Sequence, residues 1–576
     1  MGGGGVSAAD EDWWRRSVVY QVYPRSFADS DGDGIGDLRG ITEHLDHLEH
    51  LGVDVVWLSP IYASPHADNG YDISDYFAID PVFGTFDDFD ELVEALHRRG
   101  MRLVMDLVVN HTSDEHAWFR ESASGPDSPL RDWYWWRPAR PGTVPGLPGS
   151  EPNNWESFFS GPTWTFDERS GEYYLHLFAR KQPDLNWENP EVRQAVYAMM
   201  RWWLDRGVDG FRMDVINLIS KDPRLPDGKV GPSGLGDGFP FYGCGPRMHE
   251  FLQEMHREVF APHPGRLLTI GEMPGVGIDD ARRATDPRNR ELDVVFQFEH
   301  VGLDHGPHGK WWPRRARVEE LVATFCRWQT GLAPHGWNSL YWGNHDQPRV
   351  VSRFGNDREH RVASATALAT ILHLQQGTPF VYQGEEIGMA NAPFSSIEDF
   401  RDIESLNHFA TATARGIPPE EVLAGMRPAS RDNARTPMQW SAAPHAGFTT
   451  GTPWIDVNPD HREVNVEAQR GVPGSVLEHY RSLVALRRTD DVVVHGSFEH
   501  LPTEHPEVFA FARRLGQDWL CVVANLSDES RDVRLARDLA ARELVLRNAT
   551  GPLGPLAPWE VRVHRGAGPL PTPSGS

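Results

Sequence analysis

Three cysteines are few for 576 residues. Cys244, Cys326 and Cys521 stand far apart, make no metal-type spacing and cannot all pair within the chain. That excludes a disulfide framework and leaves free thiols in a reducing compartment as the expectation. No apolar run is long enough to span a bilayer. Met1 to Gly5 is glycine-rich rather than basic and then apolar, so no secretory leader is read there. Positive charge is also scarce. The chain has 56 Lys and Arg against 82 Asp and Glu, a net of −26. Such a chain lacks the basic patch that supplies affinity for nucleic acid or an anionic membrane. Solenoid and propeller repeats are absent. A cytoplasmic protein with a neutral small-molecule partner is expected, in two or three domains for this length.

What is present is a rhythm. Apolar strand-like runs occur at Val18–Tyr23, Val53–Leu58, Arg102–Val108 and Val208–Asp214. Four more follow at Leu267–Glu272, Leu292–Phe298, Ser339–Trp342 and Pro379–Tyr382. Helical patterns lie between them, as at Glu91–Arg99, Val192–Leu204 and Val362–Leu374. Near-continuous apolar strands alternating with helices predict a parallel sheet covered by helices. Eight of them predict an α/β fold, a (β/α)₈ TIM barrel. Its first part would span 13–110 and its second 185–496, the latter with a lid-like segment at about 391–440. Residues 111–184 break the rhythm with Trp, Pro, Gly and Asn and one clear strand at Tyr173–Phe178, which predicts an inserted domain after strand 3. From 497 to 565, β-like runs (Val508–Arg513, Trp519–Ala524, Val533–Leu535, Val561–His564) predict a C-terminal antiparallel β-sandwich domain. Residues 1–12 and the Pro-rich 566–576 read as disordered.

Polar groups fall at the C-terminal ends of these strands, where a barrel carries its active site. Asp106 and Asn110-His111 close the third, Arg212 and Asp214 the fourth, Glu272 the fifth, and His345-Asp346 follow the seventh. A carboxylate among apolar residues is costly unless it is paired or used. Two such acids in one cleft can divide the roles of nucleophile and proton donor. Any one of them could be a satisfied structural acid; the same coincidence at four strand ends makes that a poor account of the set. Asp29-Ser30-Asp31-Gly32-Asp33-Gly34-Ile35-Gly36-Asp37 spaces oxygen ligands as a calcium loop does. Asp29, Asp31, Asp33 and Asp37 supply carboxylates and Ile35 a backbone carbonyl, with Gly34 at the sharp turn. The twelfth position is Gly40, not Glu, so the loop is no EF-hand. Structural Ca²⁺ is expected, with Mg²⁺ as the other candidate, and no organic cofactor.

Four segments carry a family resemblance. Asp106-Leu107-Val108-Val109-Asn110-His111, Gly210-Phe211-Arg212-Met213-Asp214-Val215, Thr269-Ile270-Gly271-Glu272 and Gly343-Asn344-His345-Asp346-Gln347 resemble, in order, the signature regions of the α-amylase family of glycoside hydrolases. Gln182-Pro183-Asp184-Leu185-Asn186-Trp187 is similar to a further signature of the inserted domain. The run from Ser430 to Trp440 is similar to a segment of the family's oligo-1,6-glucosidase and α-glucosidase branch.

The resemblance implies a retaining mechanism with Asp214 as nucleophile, Glu272 as acid/base and Asp346 as the third carboxylate. It implies that Arg212 orients the nucleophile and that His111 and His345 hydrogen-bond the sugar. It implies that Tyr71 stacks on the terminal glucose and that Asp72, with Arg431 as its partner, binds the distal hydroxyls. Phe178 and Gln182 match positions lining the pocket, and Lys310 matches a lysine contacting the acceptor sugar. Val215-Ile216-Asn217 looks like the α-1,6-acting members. The implied function is exo hydrolysis of terminal non-reducing α-1,6-linked glucose from isomalto-oligosaccharides. An α-1,4-preferring glucosidase, a glucosyltransferase or sucrose isomerase, and, more distantly, a non-catalytic carbohydrate-binding homologue remain open.

Overall fold

The computed structural model describes residues 12–570. Eight parallel strands form the central sheet: β1 Val19–Val22, β2 Val55–Leu58, β3 Arg102–Val108, β4 Gly210–Asp214, β5 Leu268–Glu272, β6 Val294–Phe296, β7 Ser339–Leu340 and β8 Thr378–Tyr382. Their order is β6-β5-β4-β3-β2-β1-β8-β7. A parallel bridge between Val295 and Asn338 joins β6 to β7 and closes the barrel. Each strand is buried on both faces, which is why its sequence is apolar without alternation. Inward residues such as Val104, Ile270 and Phe296 form one core, and outward ones such as Leu103, Phe211 and Met213 pack beneath the helices.

The covering helices follow local rules. Helix α1, Phe86–Arg98, starts at a Thr85–Asp88 capping box and buries Phe89, Leu92, Val93 and Leu96 on one face. Full burial of one such leucine contributes about 1.5–3 kcal/mol. Helix α2, Pro190–Asp205, is capped by Asn189 with Pro190 at its first turn. Helix α3, Arg361–His373, is buried almost all round.

Between β3 and α2 the strands 136–137, 164–167 and 172–175 make a small antiparallel sheet with the last in the middle. The expected strand through Phe178 therefore ends at Leu175, and Phe178 lies in the turn beyond it. Residues 391–440 hold a helical hairpin, α4 Ile403–Ala414 and α5 Pro419–Ala429. The C-terminal sheet is antiparallel: β9 Ser497–His500, β10 Val508–Leu515, β11 Asp518–Asn525, β12 Glu543–Arg547 and β13 Val561–Ala567, in the order β9-β10-β11-β13-β12. Phe509 and Phe511 face the barrel core, while Ala510 and Ala512 face a core of the sheet's own. Val533–Leu535 is not a strand: Arg534 opens a short helix that buries Leu535 and Ala536. Two apolar residues around one arginine cannot distinguish the two forms. The disorder expected at 1–11 and 571–576 lies outside the described residues. Within 566–570, β13 runs to Ala567 and Leu570 is buried. Among the described residues no helix is long and apolar enough to cross a membrane.

Candidate active site

The period-2 alternation of β4 turns Phe211 and Met213 outward and Arg212 and Asp214 into the barrel. In register, Arg212 lies beside Asp106 of β3 and Ile270 of β5. Its guanidinium is 1% exposed and meets three carboxylates. Nη1 donates to Asp106 Oδ1 and to Asp214 Oδ1, each at 2.8 Å. Nη2 lies 2.7 Å from Glu272 Oε1. The Trp57 ring sits under the guanidinium at 4.9 Å. Asp106 is held from its other oxygen by Trp57 Nε1 at 3.0 Å and Tyr71 Oη at 2.9 Å. Burial raises the pKa of Asp106, Asp214 and Glu272, and Arg212 opposes the rise in each. Glu272 raises Asp214 further, so its carboxyl is pushed well above the usual range.

Val215, just past β4, has φ of +36°. A β-branched residue pays a steric cost in that region. The strained turn directs the Val215 N–H onto Glu272 Oε2 at 2.9 Å. Sequence reading singled out the Val215 side chain; this backbone contact came only with the fold.

The loop after β2 departs from expectation. Asp72 is fully buried and turned back into its own loop. It accepts from Ala67 N at 2.8 Å, Asp68 N at 3.0 Å and Ser64 Oγ at 3.1 Å. Its carboxylate satisfies backbone amides that the turn would otherwise orphan, so it neither lines the cavity nor meets Arg431. Asp68, four residues earlier, occupies the place assigned to Asp72. Its Oδ1 accepts from Arg431 Nη2 at 3.0 Å and its Oδ2 from Gln182 Nε2 at 3.1 Å. Burial raises Asp68 to about 6 against the pull of Arg431. Tyr71 stacks on His345, centroids 4.8 Å apart and planes 1° from parallel.

Arg431 is a hub. Besides Asp68 it reaches Asp346 Oδ1 at 3.1 Å and Asp402 Oδ1 at 2.8 Å, and its guanidinium lies 5.0 Å from the Phe159 ring. Arg435, one turn on, donates to Asp346 Oδ1 at 2.8 Å and to the His345 carbonyl at 3.1 Å. Burial works against the Asp346 charge, but the guanidiniums of Arg431 and Arg435 hold its pKa below the carboxylate range. His345 is buried behind Tyr71, with Nδ1 2.8 Å from Gln21 Nε2; burial lowers it to about 3, so it is neutral. His111 lines the cavity, has Nε2 3.0 Å from the Tyr71 carbonyl, and is lowered by burial to about 4.

These groups border a cavity of about 270 Å³. Of the expected residues, Tyr71, His111, Phe178, Gln182, Val215 and Lys310 line it, together with Asp214, Glu272, Asp346 and Arg431. Arg212 and His345 stand behind this wall, and Asp72 is outside it. Lys310 is engaged by Glu404 of α4, Nζ to Oε2 at 2.6 Å. Asp68, Phe158, Phe159, Pro274, Phe298, Gln347 and Glu404 complete the lining, and none of them was among the expected site residues. Asp68, an acid three residues before the expected Tyr71, and Gln347, the last residue of a signature segment, carried a usable signal.

In the acidic loop after β1, Asp29, Asp31 and Asp37 bring carboxylate oxygens within 4.8 Å of one another. Asp33 is not in this group; its Oδ1 accepts from Ile35 N at 2.8 Å, and the Ile35 side chain packs on the barrel core. Burial and the charges of Asp31, Asp29 and Asp37 push the Asp33 carboxyl up. Such crowding of like charge fits a hard cation. Asp37 also caps the following helix through Gly40 N at 2.6 Å. None of these residues lines the cavity.

Comparison with known proteins agrees with this geometry. Residues 21–496 match the family model described as alpha amylase, catalytic domain. The chain is 53% identical over 564 residues to an oligo-1,6-glucosidase of Parageobacillus thermoglucosidasius, covering 96% of this chain and 99% of that protein. Among solved structures it resembles the trehalose-6-phosphate hydrolase of Bacillus licheniformis (TM-score 0.90, 44% identity, 96% of this chain and 99% of that one). It also resembles the isomaltulose synthase of Erwinia rhapontici NX5 (TM-score 0.91, 41% identity, 97% and 99%). The chain therefore belongs to the α-amylase family and is a glycoside hydrolase.

Proposed function

We propose that the protein is a retaining, exo-acting α-glucosidase that removes terminal non-reducing α-1,6-linked glucose from isomalto-oligosaccharides. The observation that carries this reading is the one buried guanidinium, Arg212, shared by Asp214 and Glu272 at the wall of a small cavity. Two buried acids this close hold one proton between them, and with it on Glu272 the ionised Asp214 attacks the anomeric carbon and forms a glycosyl ester, while Glu272 protonates the departing oxygen. Glu272 then takes a proton from water, which attacks the ester and restores Asp214. Both donors that reach Glu272, Arg212 and Val215 N, favour its charged form. The glycosidic oxygen, an acceptor, is the group that holds the proton on Glu272 when substrate fills the cavity. Asp346 stays ionised between Arg431 and Arg435 and accepts from sugar hydroxyls. The Asp68–Arg431 pair closes one end of the cavity, which fits one terminal glucose and hence exo action. Support for the α-1,6 bond is the likeness to oligo-1,6-glucosidases, with Val215 lining the cavity beside the nucleophile.

Glucosyl transfer is the second reading, favoured by the likeness to isomaltulose synthase. Anomer-resolved products from isomaltose, maltose, sucrose and trehalose decide between them. Isomaltose cleaved fastest to α-glucose is expected; equal or faster maltose cleavage overturns the bond preference, and new disaccharides formed from sucrose in place of glucose and fructose overturn hydrolysis.

Asp29, Asp31 and Asp37 would hold Ca²⁺, with Mg²⁺ as the lesser candidate, as a clasp on the loop. The loop is tied to residues 448–454 through Asp29 N to Phe448 O at 3.0 Å and Trp454 N to Gly34 O at 3.0 Å. A bound ion would brace this junction and take no part in bond cleavage.

A further inference from the structure

Gln347 follows Asp346 and has no role in the steps above. It stands where three cavities meet. One is the glucose cavity. The second, of about 370 Å³, runs beside the loop 304–315 after β6. The third is an open cleft of about 1000 Å³ between residues 275–280 and 298–305. Gln347 borders all three. The glucose cavity is closed at its other end by Asp68 and Arg431. A sugar unit beyond the first glucose therefore leaves past Gln347.

The side chain is fixed on one side. Arg353 Nη1 donates to Gln347 Oε1 at 2.7 Å. Arg353 is itself clamped by Asp304, at 2.7 Å from Nε and 2.6 Å from Nη2, and by the Val301 carbonyl at 2.6 Å. A guanidinium only donates, so the amide atom facing it must be the oxygen. That leaves the Nε2 donor on the side of the junction. The Lys and Arg cations of the second cavity each have an acid: Lys310 has Glu404 at 2.6 Å, Arg314 has Glu320 at 2.8 Å, Arg353 has Asp304, and Arg315 has Asp528 at the longer distance of 3.8 Å. Compensated charge and an amide donor suit a neutral polyol rather than a phosphorylated one.

We infer that Gln347 determines specificity on the acceptor side, with Nε2 donating to a hydroxyl of the sugar being released or received. The clamp by Arg353 and Asp304 holds the amide ready, so little ordering is lost on binding. This inference rests on the reaction proposed above.

Two variants test it. Gln347→Ala removes the amide, and Gln347→Glu keeps its size and its bond to Arg353 but removes the donor. Each is compared with wild type on the disaccharide that wild type cleaves best and on 4-nitrophenyl α-glucoside, whose aglycone has no hydroxyl. One hydrogen bond predicts a loss of about five- to tenfold in kcat/KM on the disaccharide for both variants. The aryl glucoside should change less than about twofold. The yield of transfer product with added glucose should fall with the disaccharide rate. Equal losses on both substrates, or no loss on the disaccharide, overturn the inference. Failure of the functional reading shows separately, in the wild-type ranking of isomaltose and maltose.

Discussion

The barrel buries two pairs of acids, one inside its wall and one outside. Asp214 and Glu272 end β4 and β5, face inward and share Arg212 at the edge of a cavity. Glu385 and Glu386 follow β8 and lie between the wall and the helices. Glu386 is fully buried and accepts from Tyr20 Oη at 2.8 Å, with His47 Nε2 also at 2.8 Å. Glu385 accepts from Tyr480 Oη at 2.8 Å. Burial, with the neighbouring Glu386, raises Glu385 to about 8 although Tyr480 and Arg349 pull it down. Both pairs are buried acids at or just past a strand end, and burial raises Glu385 as it raises Asp214 and Glu272. The difference is access: the second pair borders none of the three cavities that meet at Gln347, and its partners are phenols and an imidazole buried with it. A perturbed acid marks chemistry only where a reacting atom can reach it.

The sharpest way to break the contrast is Asp214→Ala. We expect kcat on isomaltose to fall by about 10⁴-fold or more, with no loss in Tm, because a buried charge is removed. Ordinary activity in that variant would end the mechanism. Next is Glu272→Gln, expected to cost about 10²- to 10⁴-fold on isomaltose and clearly less on 4-nitrophenyl α-glucoside, whose leaving group needs little protonation. Equal losses on both substrates would remove Glu272 from the acid role.

The outer pair should behave oppositely. Glu386→Ala should leave kcat intact and cost about 1–3 kcal/mol for each donor stranded, read by denaturant melts. Glu385→Gln sharpens this through pH. Its ordinary value is 4.5 and its folded value about 8, so the folded chain holds an extra proton between them. Wild-type stability then falls as pH rises through that window, and Glu385→Gln should lose less over the same range. Parallel Tm–pH curves for the two proteins would contradict it. The smallest effect is expected from chelation: a Tm lower by a few degrees, with kcat at low temperature unchanged. Inactivation in the cold without unfolding would place the ion in the chemistry.

Much of the catalytic face was readable because strand periodicity is strict. Once Gly210–Asp214 is a strand, Arg212 and Asp214 share a face, whatever lies around them. Loops were less readable. Asp68 and Asp72 are the same residue type four positions apart, and their roles depend on which amides the turn leaves unpaired. Lys310 reads as a free loop cation until α4 brings Glu404 against it from 94 residues away.

The sequence by itself determined the alternation of buried strands and helices, the order of the signature segments and the face on which Arg212, Asp214 and Glu272 would stand. These follow from local periodicity and side-chain chemistry, which do not depend on distant residues. The tertiary structure decided that one guanidinium serves three carboxylates, that Asp68 and not Asp72 meets Arg431, and that Glu385 and Glu386 face packing rather than a cavity. Each of those outcomes depends on which long-range neighbour arrives to satisfy a buried charge, and burial makes an unmet charge too costly to leave open.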